Sequence, residues 1–393
     1  MLNELATDLG EYGAEVTVLS GYPSRRISNK VRQYYLAHPV EKISKNVVVK
    51  RIGTKKGEGN GLLERMFKYL FLTRELYKAA ANTPTDVFYL YSSPPFLGYI
   101  GCKLAKIAPT VYNAQDLFPD TLVHMKHISE KNPFIKFFRK KEATVYKKNT
   151  RIVTISEEMK RTIAATGCNP DKIDVIYNWA DTENLHHSGK DDNKLTDELG
   201  IDKKKFIVSY AGDIGLFQGW DVILDAAKIL INDNPEIHFA IIGSGSYKPQ
   251  LEKRITEEKI TNVSVHPLQP ANRLSEIYSI GDVELVPIEK GITKMALPSK
   301  TGVIMATGSP ILALVDNGSD IEQIINGREI GIAIEHGNAE KLADAINYCF
   351  KNKNLLPKFG RNARDFAESN YSRKIQTKKY YNTLLSTANS IRR

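Results

Sequence analysis

The residues best suited to chemistry lie in one short stretch, Ala296–Pro310, read Ala-Leu-Pro-Ser-Lys-Thr-Gly-Val-Ile-Met-Ala-Thr-Gly-Ser-Pro. Pro298 and Ser299 suit the first positions of a helix, and Gly308 with Pro310 suits its end. The stretch lies between two apolar runs, Val283–Ile288 and Ile311–Val315, that read as buried strands. The pattern predicts a short helix that starts at the carboxyl end of a parallel strand. Unpaired N–H groups and the helix dipole favour a phosphate there. Lys300 adds a positive charge within the first turn, where it opposes the dipole. That is a poor place for stability and a good one for an anionic ligand. With the hydroxyls of Ser299 and Thr301, the segment predicts a diphosphate-binding site.

A second candidate begins at Phe206–Tyr210, a strand-like run followed by Ala-Gly-Asp-Ile-Gly-Leu-Phe-Gln-Gly over residues 211–219. The amphipathic segment Asp221–Ile231 comes next. Strand, glycine-rich turn and helix form a nucleotide-binding unit in general shape, in which Gly212, Gly215 and Gln218 would face the ligand, although glycines also make ordinary turns. Gly243-Ser244-Gly245 is another tight strand-to-helix turn. Strand-like runs alternate with helical patterns along most of the chain, as in parallel α/β architecture. The candidate strands of the first half are Glu15–Leu19, Val47–Ile52, Asp86–Tyr91, Thr110–Asn113, Arg151–Ile155 and Ile173–Ile176. Those of the second are Phe206–Tyr210, His238–Ile242, Val263–His266, Val283–Pro287, Ile311–Val315 and Gly331–Ile334. Charged, apolar-poor residues 186–205 read as a break between them, a linker with a short helix. The expected division is 1–180 for a first domain, 181–204 for a linker, 205–362 for a second domain, and a helical tail, 363–393, crossing back to the first.

The 393 residues carry a net charge of +10, which favours an anionic partner. Eight basic residues between Lys131 and Arg151 face one acid, Glu142, with Phe134, Phe137, Phe138 and Tyr146 interleaved. Leu62–Phe71 repeats apolar residues at helical spacing beside Arg65, Lys68 and Arg74. Both stretches suit the surface of an anionic membrane, and equally a core-facing stripe beside solvated lysines. No nucleic-acid-binding pattern is visible. The sequence has neither an eighteen-residue apolar run nor a signal-peptide pattern, and its three cysteines are far apart, so a cytoplasmic location is expected.

Taken in order, several pieces resemble family-4 retaining glycosyltransferases of GT-B fold, of the capsule, O-antigen and L-fucosamine-transferase type. They are Asn113–Asp120, Ile152–Glu157, Val175–Asp181, Gly212–Gly219, Ile241–Gly245, Tyr278–Pro287, Pro298–Pro310 and Ala339–Ile346. The resemblance implies an α/β protein of two doubly wound, Rossmann-like parallel-sheet domains facing a cleft, the second binding a nucleotide sugar. The implied reaction moves a hexosyl or N-acetylhexosaminyl group, with retention, from a nucleotide-diphosphate donor, expected to be UDP-linked, to a lipid-diphosphate-linked glycan at the inner membrane face. No further cofactor and no metal are expected. Family members usually begin with a strand and glycine-rich loop ahead of the helix that here starts at Met1, so the first domain is expected to lack them.

Two further departures concern the donor site. The family's paired glutamates fall on Met295 and Val303, with Glu289 as a nearby substitute for the first. Its diphosphate-holding Arg and Lys fall on Asp213 and Gln218, which leaves the phosphates to Lys300, the neighbouring hydroxyls and backbone N–H groups. The expected donor contacts are therefore Gly212, Gly215, Gln218, Gly243, Gly245, Glu289, Pro298, Ser299, Lys300 and Thr301. The His that relatives place after the strand Thr110–Asn113 is replaced by Gln115, expected to orient the sugar. Asp116 would assist the acceptor hydroxyl or hold its loop, with His124 and His127 as alternatives. Asn178 and Trp179 would close the first domain beside the acceptor, Trp179 serving equally as hinge packing. Two other readings are an inactive sugar-nucleotide-binding protein and a GT-B epimerase.

Overall fold

The computed structural model describes residues 1–23, 27–53, 62–93, 96–120, 123, 129–291 and 299–390, with the backbone alone for 62–66 and 299. The chain forms two compact units, Met1–Ile176 with Gln376–Arg393, and Tyr177–Ile375.

In the first unit, β1 (Val16–Gly21), β2 (Val40–Ser44) and β3 (Val47–Ile52) form one sheet in the order β1-β3-β2. β4 (Phe88–Tyr91), β5 (Thr110–Ala114), β6 (Arg151–Thr154) and β7 (Ile173–Val175) form another, fully parallel, in the order β4-β5-β6-β7. The six expected strands are present; β2 is an addition. It pairs antiparallel with β3 across a tight turn, and its Val-Glu-Lys-Ile-Ser sequence is mostly exposed, so it lacks the apolar run of its neighbours. β5 is buried along its whole length, as the centre of a covered parallel sheet requires.

The second unit is one six-stranded parallel sheet in the order β10-β9-β8-β11-β12-β13. Its strands are β8 (Phe206–Asp213), β9 (Ile237–Ser244), β10 (Val263–His266), β11 (Val283–Pro287), β12 (Ile311–Val315) and β13 (Gly331–Glu335). Alternation along β8 sends Phe206, Val208 and Tyr210 into one core, and Ile207 and Ala211 into the core on the opposite face. From β8 the chain runs outward to β9 and β10, then returns to β11 on the other side. β8 and β11 therefore flank the point where the winding reverses, outside whose carboxyl ends open α/β sheets bind ligands.

The expected linker over 181–204 is corrected. Leu185, Leu195 and Ile201 are buried in the second unit's core, while the expected short helix is present at Lys194–Glu198, capped by the Asn193 side chain. Three well-spaced apolar residues in a charged segment suffice to anchor it, though too few to register as a periodic pattern. The tail divides as well. The helix Leu356–Asn370 packs against Ser299–Thr307, and the chain joins the first unit only from Gln376. Leu195→Ala should cost about 2–5 kcal/mol of unfolding free energy, as for other fully buried leucines, measured by chemical denaturation; a free linker residue would cost nothing.

Candidate functional site

Two loops meet at the carboxyl ends of β8 and β11. At the end of β8, the carbonyls of Asp213, Ile214 and Gly215 are each held by a donor of the second unit. The Tyr210 hydroxyl donates to the carbonyl of Asp213 at 2.6 Å. The Tyr247 amide donates to that of Ile214 at 2.9 Å, and the Trp220 indole to that of Gly215 at 2.9 Å. Tyr210 and Trp220 pack edge to face beneath the loop, with ring centroids 4.9 Å apart. The Glu289 amide, arriving after β11, donates to the carbonyl of Phe217 at 2.8 Å and ties the two loops together.

With the carbonyls held, the amides of Gly215, Leu216, Phe217 and Gln218 have no acceptor among the described residues. They precede the fourteen-residue helix Trp220–Asp233, whose N-cap is Gly219 in the left-handed conformation. A run of unpaired amides at a helix N-terminus is suited to an anion. Gly219 is also required by its neighbour, since a Cβ there would lie 2.0 Å from His336 Nε2. Asp213, exposed, folds its carboxylate toward Gly215, and Gln218 does the same with its Oε1, which has no partner. Asp213 thus stays within the loop.

The glycines of 243–245 have a packing role. A Cβ on Gly243 would meet the carbonyl oxygen of Gly212 at 2.0 Å, and one on Gly245 that of Ile214 at 2.3 Å. They let the β9 turn press against the β8 loop. Glu289 is half-buried, close enough to His336 for its charge to oppose the fall that burial imposes on the imidazole pKa, as does Asp316. His336 and Asp316 were not visible as site residues in the sequence. Each ends a different strand, and nothing local marks them.

The helix after β11 spans Ser299–Thr307. Pro298 lies outside the described residues, and Ser299 is described by its backbone alone. Lys300, expected to contact the donor phosphates, turns inward. Its ammonium is buried without a hydrogen-bond partner among the described residues and lies 3.7 Å from the centre of the Tyr210 ring. Glu284 is fully buried on β11, accepts from the Ser209 hydroxyl, and favours the charged form of Lys300. Thr301 is also corrected. It is fully buried with Ile304 and Met305 on the inward stripe of the helix, so its hydroxyl faces the core. Val303 packs against the same core.

In the first unit, Asn113 donates to the Tyr89 hydroxyl at 2.6 Å and to the Tyr380 hydroxyl at 2.9 Å. Gln115 is buried and donates to the Asn113 side-chain oxygen at 2.9 Å, so its amide nitrogen is engaged in this network. Asp116 follows on the exposed side, with its carboxyl pKa raised by partial burial and its charge acting on Tyr91. His124 and His127 lie outside the described residues. Asn178 and Trp179, expected to close the first domain, belong to the second unit, where the neighbouring Ala180 amide donates to the Tyr371 carbonyl at 2.8 Å.

Exposed aromatic residues mark two first-unit helices. Phe67, Leu70 and Phe71 stand out from Leu62–Ala81, and Phe134 and Phe137 from Pro133–Lys148, Phe67 and Phe134 being 65% and 68% exposed. The Lys141 ammonium lies 5.3 Å from the Phe137 ring centre. Among the described residues, no helix is long and apolar enough to cross a membrane.

Gly245→Ala should destabilise the second unit by about 1–3 kcal/mol in chemical denaturation, because the added carbon meets backbone that cannot rotate away.

Two family models divide the chain between them. "Glycosyltransferase Family 4" matches residues 1–184 and "Glycosyl transferases group 1" matches residues 191–366. The chain is 28% identical over 235 residues to the colanic acid biosynthesis glycosyl transferase WcaI of Escherichia coli, covering 59% of this chain and 56% of that protein. It is 25% identical over 265 residues to the glycosyltransferase WbjE of Pseudomonas aeruginosa, covering 67% and 65%. It therefore spans under two thirds of the length of each. The fold resembles a sucrose-phosphate synthase from Thermosynechococcus elongatus, with a TM-score of 0.74, 14% identity, and 98% and 92% of the two chains covered. It also resembles Anabaena HepE, solved with UDP and glucose, with a TM-score of 0.69, 16% identity, and 98% and 95% covered. Each half of the chain thus matches a glycosyltransferase family model, and its fold is that of the GT-B glycosyltransferases.

Proposed function

We propose that the protein transfers a sugar from a nucleotide-diphosphate donor to a lipid-diphosphate-linked glycan during surface polysaccharide biosynthesis, with retention at the anomeric carbon. The observation that carries this reading is the row of unpaired amides, Gly215–Gln218, at the reversal point of the second unit's sheet. WcaI is named for colanic acid biosynthesis, and HepE was solved with UDP and glucose, which supports a polysaccharide product and a UDP-linked donor.

In this reading, the amides and the dipole of Trp220–Asp233 hold the diphosphate and take up the charge that grows on it as the sugar departs. Glu289, beside the same loop, accepts from a sugar hydroxyl. Asp116 stands on the acceptor side, exposed and with a raised pKa, as a group that receives or passes the acceptor proton should be. The exposed aromatics and lysines of the first unit hold the enzyme on an anionic membrane surface where the lipid-linked acceptor resides.

A second reading, an inactive protein that binds sugar nucleotides, is favoured by Val303, whose apolar side chain stands where relatives carry a sugar- or ribose-binding acid. Calorimetric titration with UDP-, GDP- and dTDP-sugars, followed by transfer assays on lipid-linked acceptors, separates the two. Binding with transfer supports the enzyme, binding without transfer supports the second reading, and absence of binding defeats both. Asp116→Asn should lower kcat by about 10²–10⁴-fold while donor affinity stays unchanged. The protein should sediment with vesicles containing phosphatidylglycerol and not with pure phosphatidylcholine, and Phe134→Ser with Phe137→Ser should abolish this. Equal recovery with both vesicles would refute the membrane contact.

A further inference from the structure

Beneath the amide loop lies a group of side chains that a phosphate-contacting role for Lys300 leaves unexplained. An ammonium taken out of water without an acceptor is costly unless a compensating charge lies near. Among the described residues Lys300 has no hydrogen-bond partner, and Glu284 Oε2 has none either. What Lys300 does have is the face of Tyr210, an electron-rich surface that attracts a cation. The Tyr210 hydroxyl in turn holds the Asp213 carbonyl. A buried positive charge, an aromatic ring and the loop backbone thus form one connected column.

We propose that Lys300 is a positioning residue for the donor diphosphate, acting from beneath the Asp213–Gly219 loop through Tyr210, with Glu284 as its buried counter-charge. The proposal rests on the donor reading above. Lys300 needs no contact with the phosphates: its charge acts through a water-poor interior, where screening is weak.

A consequence follows for protons. Burial pushes the Lys300 pKa down and the Glu284 pKa up, each partly offset by the other's charge. The groups around the pair are Tyr210 and the exposed Asp213 from β8 and its loop, Ser209 from β8, Tyr278 from the segment before β11, and Tyr371 against Gly302 of the same helix. Burial raises the pKa of all three phenols, so they stay protonated near neutrality. A diphosphate above the loop favours the ammonium, so donor binding draws a proton from solution onto the pair. Affinity must then fall as pH rises through the range in which the free pair loses that proton.

The test uses the full chain with UDP-glucose, GDP-mannose or dTDP-glucose, whichever binds, since their diphosphate diesters do not titrate near neutrality. Titration at about pH 7.5 in two buffers of unlike ionisation enthalpy should show net proton uptake. Lys300→Met keeps the side-chain stem and removes the charge; it should lose the uptake and about tenfold of donor affinity, while still melting cooperatively. Tyr210→Phe keeps the ring beneath the ammonium and frees the Asp213 carbonyl; it should bind the donor more weakly and retain the uptake. Donor binding by the wild-type protein without proton uptake would overturn the inference and leave the donor reading intact, even if Lys300→Met fails to fold. A folded Lys300→Met variant with unchanged affinity would overturn it as well. If none of the three sugars binds, the donor reading itself fails.

Discussion

Backbone groups must be satisfied wherever water is excluded, and in the second unit that requirement shapes the site. Tyr210, Tyr247 and Trp220 take the carbonyls of Asp213, Ile214 and Gly215 from within. A peptide unit whose oxygen points inward turns its N–H outward. The free amides of Gly215, Leu216 and Gln218 thus belong to peptide units whose carbonyls, those of Ile214, Gly215 and Phe217, are held, while the Ile214 amide, partner of the Asp213 carbonyl, donates to Ser244. The loop from Asp213 to Gly219 carries no cationic side chain, and the backbone is what remains to meet an anion there.

The same economy explains the glycines. Gly243 and Gly245 are fixed by the approach of the β9 turn to the β8 loop, and Gly219 by the His336 ring. Only Gly219 needs the left-handed conformation among these three, so a glycine-rich pattern here records two different constraints, close backbone contact and an unusual φ. The pattern's resemblance to a phosphate loop is real, but most of its glycines are explained by how the loop is packed.

Much of the fold was legible in the sequence because parallel strands buried on both faces are continuous apolar runs, and twelve of those runs became strands within a few residues of their expected ends. The exposed β2 escaped because an edge strand needs no such run. The segment 181–204 was misread as a linker because its anchors, Leu185, Leu195 and Ile201, are scattered among charges. The loop after β8 and the helix at Ser299 were both located correctly. The orientation of Lys300 and Thr301 within that helix was not, because helical position says nothing about which neighbour a side chain will reach.

The sequence by itself determined the alternation of strands and helices, the position of the glycine turns and the basic aromatic stretches. These depend on residues close in the chain, whose spacing is visible directly. Tertiary structure alone decided that Lys300 turns inward to Tyr210, ninety residues earlier, and that Gln115 is held through Asn113 in a network completed by Tyr380. It also brought His336 beneath Gly219. The contacts of Lys300, Tyr380 and His336 join residues far apart in the chain, and only the packing of strands and helices brings such residues together.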